Sequence, residues 1–195
     1  MLEFEKKFLL TENEFLILKE IAGEKAASKE QINHYFDTYS LVMHRQGITC
    51  RIREKDGQFT ATIKKHDPKY LDRSTEMSMA VTNASYCRLF NGLGLKQFGS
   101  LKTERRVLRN DSDMEIVLDH NRYLDIEDYE LEIEFVPERS GRADEEINKI
   151  CDLLEQQMPM FDRNAFLLRT EQAKSKSARF FERYAVLYQS ERGIS

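Results

Sequence analysis

Glu130-Leu131-Glu132-Ile133-Glu134-Phe135 sets a carboxylate against an apolar side chain at every step. A period of two marks a β-strand, whose successive side chains point to opposite faces. This strand has one acidic face and one apolar face, and the pattern recurs along the chain. In Glu3-Phe4-Glu5-Lys6-Lys7, residues 3, 5 and 7 share one side, and Phe4 and Phe8 the other. Arg51 and Arg53 oppose Cys50 and Ile52, while Thr60, Thr62 and Lys64 oppose Phe59, Ala61 and Ile63. Glu76 and Ser78 oppose Met77, Met79 and Val81, and Glu115 and Asp119 oppose Ile116 and Leu118.

Cap and turn signals separate these strands. Thr11 and Glu14 fit a capping box that opens a short helix ended by Gly23. A strand over 31–37 is followed by a turn or short helix over 38–46, closed by Gly47. Residues 48–65 read as a hairpin around Asp56-Gly57. A strand at 74–81 leads to a helix capped by Thr82 and running to about Asn91, before Gly92 and Gly94. Strands follow at 99–109 and 114–119, joined by Asn110-Asp111-Ser112-Asp113, and then at 129–136. Helices are expected from about Ala143 to Gln157 and from about Arg169 to Tyr188. About eight strands with hairpin neighbours predict an α+β chain, mainly β: an antiparallel barrel or sandwich decorated by helices.

Composition narrows the function. The 195 residues suit one domain with a real core, with 41% hydrophobic and 33% charged residues. A net charge of −4 argues against a nucleic-acid binder. Cys50, Cys87 and Cys151 lie far apart, as free thiols of a reducing cytoplasm do. Glu3 and Glu5 sit where a signal peptide would be basic, and no apolar run approaches the ~20 residues that span a bilayer. The expectation is a cytoplasmic protein without membrane or nucleic-acid partners, monomer or homodimer.

The helices need an apolar surface to bury their stripes, so they take the apolar faces of the strands. If the sheet closes, the charged faces then line the interior of a barrel wide enough for a small ligand. Glu3, Glu5, Glu132 and Glu134 would form a hard-oxygen site suited to Mg²⁺ or Mn²⁺. Arg51, Arg53 and Lys64 would match the oxygens of a polyanion. Metal, cations and polyanion together compose a phosphoryl-transfer site.

Glu3-x-Glu5-x-Lys7, QINHYFDT at 31–38, CRIR at 50–53, TATIKK at 60–65, KTERRVL at 102–108, IVLD at 116–119 and EIE at 132–134 follow one another along the chain. Taken in that order, over about residues 1–185, they resemble the motifs of the CYTH superfamily, the triphosphate tunnel metalloenzymes. STEMS at 74–78 matches the family pattern in part, with Ser74 and Ser78 departing from it. The resemblance implies a single domain over 1–195 with a C-terminal helical extension from about 160. It implies an eight-stranded antiparallel tunnel, surrounded by helices, that binds a small-molecule polyphosphate and hydrolyses it with a divalent metal.

By the same resemblance, Glu3, Glu5, Glu130, Glu132 and Glu134 are metal-side carboxylates. Glu3, Glu5, Lys7, Glu76 and Asp119 serve the chemistry. Lys7, Arg51, Arg53, Lys64, Lys102 and Arg105 hold phosphates, and Lys174 or Lys176 reaches the tunnel from the C-terminal helix. The apolar Leu101 and Val107 set a parity that turns Arg106 inward, whereas the motif favours Arg105, and a bulge would reconcile them. His34, His44, His66 and His120 form no ligand cluster and read as surface or turn residues, and Arg179 and Arg183 as a solvated helix face. Class IV adenylyl cyclisation of ATP and non-catalytic polyphosphate binding are the alternative functions.

Overall fold

The computed structural model describes residues 2–23, 28–70, 73–82, 86–171 and 173–189. The strands are β1 (Leu2–Leu10), β2 (Ser28–Asp37), β3 (Ile48–Lys55), β4 (Gln58–His66), β5 (Arg73–Val81), β6 (Lys96–Asn110), β7 (Met114–Tyr123) and β8 (Ile126–Phe135). The helices are α1 (Glu12–Ala22), α2 (Val42–Arg45), α3 (Tyr86–Gly92), α4 (Ser140–Gln157), α5 (Arg163–Glu171) and α6 (Lys176–Gln189). The strands close into an antiparallel barrel in the order β1-β5-β4-β3-β2-β6-β7-β8. No helix among the described residues is long and apolar enough to cross a membrane.

Local signals produce the expected elements. The Thr11 hydroxyl accepts from the Glu14 amide and the Glu14 carboxylate accepts from the Thr11 amide, so the capping box opens α1. Asp56 and Gly57 both take positive φ, 52° and 72°, as a tight hairpin turn requires. The helix expected after Thr82 is present as α3, while residues 83–85 lie outside the described ones.

The apolar faces turn outward under the helices. Phe8, Ile116, Leu118, Leu131 and Ile133 pack with Phe15 and Leu18 of α1, Ile147 and Leu154 of α4 and Phe166 of α5. Phe36, Cys50, Ile52 and Ala61 pack with Phe90 of α3. Met77 and Met79 on β5 stay 75% and 57% exposed, so the described residues leave that part of the strand's apolar face uncovered. Cys50 and Cys151 are buried free thiols.

Two expectations about elements need correction. β7 runs to Tyr123 and β8 begins at Ile126, across a turn in which Leu124 takes φ 53°. A leucine in that conformation gives no turn signal. The helix expected over 169–188 is two helices. Asp162 caps α5 by accepting from the Ala165 amide, and Ser175 caps α6 by accepting from the Ala178 amide.

The second start sends α6 across one end of the barrel, where Phe180 and Phe181 pack on Tyr35, Leu101 and Tyr123. A Cβ at Gly99 would lie 2.8 Å from Phe180 Cζ, so the close approach of α6 needs a glycine there.

Candidate active site

The charged strand faces meet in a cavity of about 120 Å³ inside the barrel. β1 contributes Glu5 and Lys7, β3 Arg51 and Arg53, β4 Lys64 and His66, and β8 Glu132 and Glu134. Glu76 comes from β5, Arg105 from β6, and Lys176 from the start of α6. Among the described residues, six cations thus face four carboxylates. A second, polar chamber of about 440 Å³ shares Arg51, Arg53 and Glu76 and extends toward Lys55 and Gln58 at the β3–β4 turn. The interior therefore opens at the turn end and is closed at the α6 end.

Most of these charges are paired. Glu5 accepts from Lys7 and from Lys64 at 2.9 Å. Glu132 meets Arg105 at 2.5 Å and Lys176 at 2.8 Å, with Lys7 at 3.9 Å. Glu76 lies 3.4 Å from Arg51. Burial works against the Glu5 carboxylate, but Lys7 and Lys64 outweigh it and hold its pKa down at about 2. Glu132 is likewise held well below the usual carboxylate range by Lys176, Arg105 and Lys7, against its burial.

Arg53 is the exception. Its Nε donates to the neutral Asn33 carbonyl at 3.0 Å, and no carboxylate pairs with it among the described residues. Burial, and then the neighbouring Arg51 and Arg105, push its pKa down to about 9. The Nε of Arg51 is also buried without a partner. Among the described residues the site is short of anions.

Several expected residues lie elsewhere. Lys102 points out of the barrel and pairs with Glu30 on the surface, because even-numbered side chains of β6 face away from the cavity. Lys174 is exposed and pairs with Glu182, whereas Lys176 is buried inside. Asp119 and Glu130 are fully buried but do not line the cavity. Asp119 is covered by Arg105 and Lys176, and Glu130 by Lys176 and Arg179. Glu130 is thus committed to cations away from Glu5 and Glu134. Glu3 stands on β1 opposite Ser74, and its side chain lies outside the described residues.

Arg105, not Arg106, lines the cavity. Leu101 and Val107 share its inward face, so their parity never opposed it. Leu101 meets the phenylalanines of α6, and Val107 lines a small cleft beside Arg105. The bulge between Val107 and Arg109 lies beyond the site.

Two of the residues read as peripheral, Arg179 and His66, prove internal, and Arg183 does not. Arg179 is buried against Asp128 and Glu130 rather than on a solvated face. Arg183 pairs with Asp125 at the rim. His66 lines the cavity, two residues along β4 from Lys64, and this spacing was the available signal.

Burial, with Lys64 and Lys7, lowers the His66 pKa to about 4. A depressed folded pKa gives stability that is complete above the unfolded value near 6.5 and lost as pH falls through 4. His66→Gln should therefore flatten the fall in Tm between pH 6.5 and 4. An unchanged slope in thermal melts across that range would contradict this.

Residues 1–158 match the family model for the CYTH domain. The chain belongs to the CYTH domain family. YjbK of Bacillus subtilis, provisionally named a triphosphatase, is 31% identical over 198 residues, covering 93% of this chain and 95% of that protein. A crystal structure from Bacillus halodurans, provisionally described as an adenylate cyclase, is 28% identical. It superposes with a TM-score of 0.65 over 92% of this chain and 97% of that one. A Hippeastrum protein described as having a dominant triphosphatase activity shares the fold at 19% identity, with a TM-score of 0.58. Its alignment covers 76% of this chain and 87% of that one. The closed barrel of this CYTH protein, with its cationic interior, fits a triphosphate tunnel.

Proposed function

We propose that the chain is a divalent-metal-dependent triphosphatase that hydrolyses a small triphosphate-containing substrate inside the barrel. Arg53 carries this reading. A buried guanidinium with two arginine neighbours and no carboxylate partner among the described residues calls for an anionic ligand. Arg51, Arg53, Lys7, Lys64, Arg105 and Lys176 would hold the phosphate chain, with Glu76 steering Arg51. As phosphate oxygens accept from Lys7 and Lys64, the Glu5 carboxylate is released.

Glu5 and Glu134 stand directly opposite each other on β1 and β8, with Glu132 two residues further in. These oxygen donors, two of them held ionised, fit a hard cation such as Mg²⁺ or Mn²⁺. Among the described residues no group of three or more His, Cys, Asp or Glu is already drawn together around a metal position. The present partners of Glu5 and Glu132 are lysines and an arginine, which the phosphates would take over. Bound there, the ion would neutralise charge on the phosphate oxygens, as the family resemblance implies. The chain's own work is then positioning and electrostatics.

The lining favours hydrolysis over cyclisation. Among the described lining residues the rings are those of Tyr35 and His66; Tyr35 is packed on Phe180, which leaves the His66 imidazole alone as a face for adenine. We also take 1–195 as one functional unit, because α6 supplies Lys176 and Arg179 to the barrel. The test gives purified protein inorganic tripolyphosphate, thiamine triphosphate or ATP with Mg²⁺ or Mn²⁺. Orthophosphate is the expected product; cyclic AMP from ATP would favour cyclisation instead.

A further inference from the structure

The closed end of the cavity differs chemically from its middle. The middle is walled by charges, while the α6 end carries neutral donors. The Ser175 hydroxyl accepts from the Ala178 amide at 3.2 Å, and the Ser175 carbonyl accepts from the Arg179 amide at 3.0 Å. The amides of Lys176 and Ser177, in the first turn of α6, have no acceptor among the described residues. Ser177 Oγ lies 2.5 Å from Thr49 Oγ and 3.0 Å from Ser175 Oγ, and all three residues line the cavity.

A second observation points to a ligand there. Tyr35 is 1% exposed and lines the same cavity, yet its hydroxyl has no hydrogen-bond partner among the described residues. Its ring is fixed against Phe180 and Phe181, with centroids 5.0 and 6.0 Å away. The buried, unpartnered Nε of Arg51 belongs to the same lining. Donors without acceptors at the start of a helix make an anion site.

We propose that this closed end is a subsite for the terminal phosphoryl group of the substrate, held by the first-turn amides of α6, the hydroxyls of Ser177 and Tyr35, and Arg51. The inference rests on the polyphosphate reading of the barrel. Unlike Lys7, Lys64 and Arg105, the neutral donors need not leave a carboxylate to accept the anion. With α6 across the barrel, a phosphate chain enters from the β3–β4 turn end and is bound by its free end. Linear chains fit such a site, and a cyclic phosphate, which has no terminal group, cannot use it.

Calorimetric titration without metal separates these cases. The probes are linear tripolyphosphate and cyclic trimetaphosphate, against wild type, Tyr35→Phe and Ser177→Ala. Each variant should bind the linear probe about tenfold more weakly, the scale of one hydrogen bond to a charged group, and the cyclic probe as wild type does. Tyr35→Phe keeps the ring and removes a hydroxyl that has no hydrogen-bond partner among the described residues, so its Tm should equal or exceed that of wild type.

Wild-type affinity of both variants for the linear probe would overturn the subsite. So would equal losses for the linear and cyclic probes. Failure of wild type to bind either probe would instead remove the polyphosphate reading itself.

Discussion

Glu132→Gln should lower metal-dependent turnover of tripolyphosphate by about 10²–10³-fold, the range for removing one preorganised electrostatic group from a reaction centre. Glu132 sits on β8 opposite Lys7, and its carboxylate joins Arg105 to Lys176. Glutamine keeps the shape and one acceptor oxygen but removes the charge that would serve a metal. It also makes the cavity more positive. Binding of tripolyphosphate without metal should therefore be unchanged or tighter while turnover collapses, and this opposition separates a metal-side role from a phosphate-side role.

Stability adds a second readout. The depressed pKa values of Glu5 and Glu132 give stability that is present above pH 4.5 and lost as pH falls toward 2. The variant should lose part of that acid sensitivity in thermal melts. Unchanged turnover would remove Glu132 from the site.

Lys176→Met should disable both the fold and the reaction, whereas Lys174→Met should affect neither. Lys176 is buried and meets Asp119 at 3.0 Å and Glu130 and Glu132 at 2.8 Å. Without it, three buried carboxylates share Arg105 and Arg179. Removing one partner from a buried ion network costs about 3–5 kcal/mol. The surrounding carboxylates raise the Lys176 pKa, against its burial, so the ammonium is present across the neutral range.

The pH dependence has a definite sign. In the variant Glu132 loses the cation that does most to hold its pKa down, so its folded pKa rises and the penalty is largest where it is ionised. Denaturant unfolding should show the gap to wild type shrinking as pH is lowered from 7 to 5. Lys174 and Glu182 form an exposed pair, whose loss is worth about 1 kcal/mol at most. Equal effects at 174 and 176 would contradict the placement of α6.

The barrel was legible because two periods coincide. Charge alternates with apolar side chains in β1, β3, β4, β7 and β8, and the helices can bury their stripes only on the apolar side. Arg51, Arg53, Lys64 and Glu132 follow from that parity alone. The α6 end was not legible. Leu101 looks like an outward core residue because it is apolar, yet the barrel interior is itself apolar where Phe180 and Phe181 enter.

The break between α5 and α6 rests on Ser175, which ordinary composition does not separate from the serine after it. Once the break is missed, Arg179 reads as a surface residue and Lys174 as good as Lys176. Lys102 failed for the opposite reason: it matches a motif position, but its strand parity faces solvent.

The most direct measurement is orthophosphate release from inorganic tripolyphosphate by the purified protein, with Mg²⁺ or Mn²⁺ titrated in and then removed by chelation. Release that requires the metal and stops on chelation, together with loss of activity in Glu132→Gln, is the expected result. Tight tripolyphosphate binding with no turnover of tripolyphosphate, thiamine triphosphate or ATP under any metal condition would contradict the hydrolase.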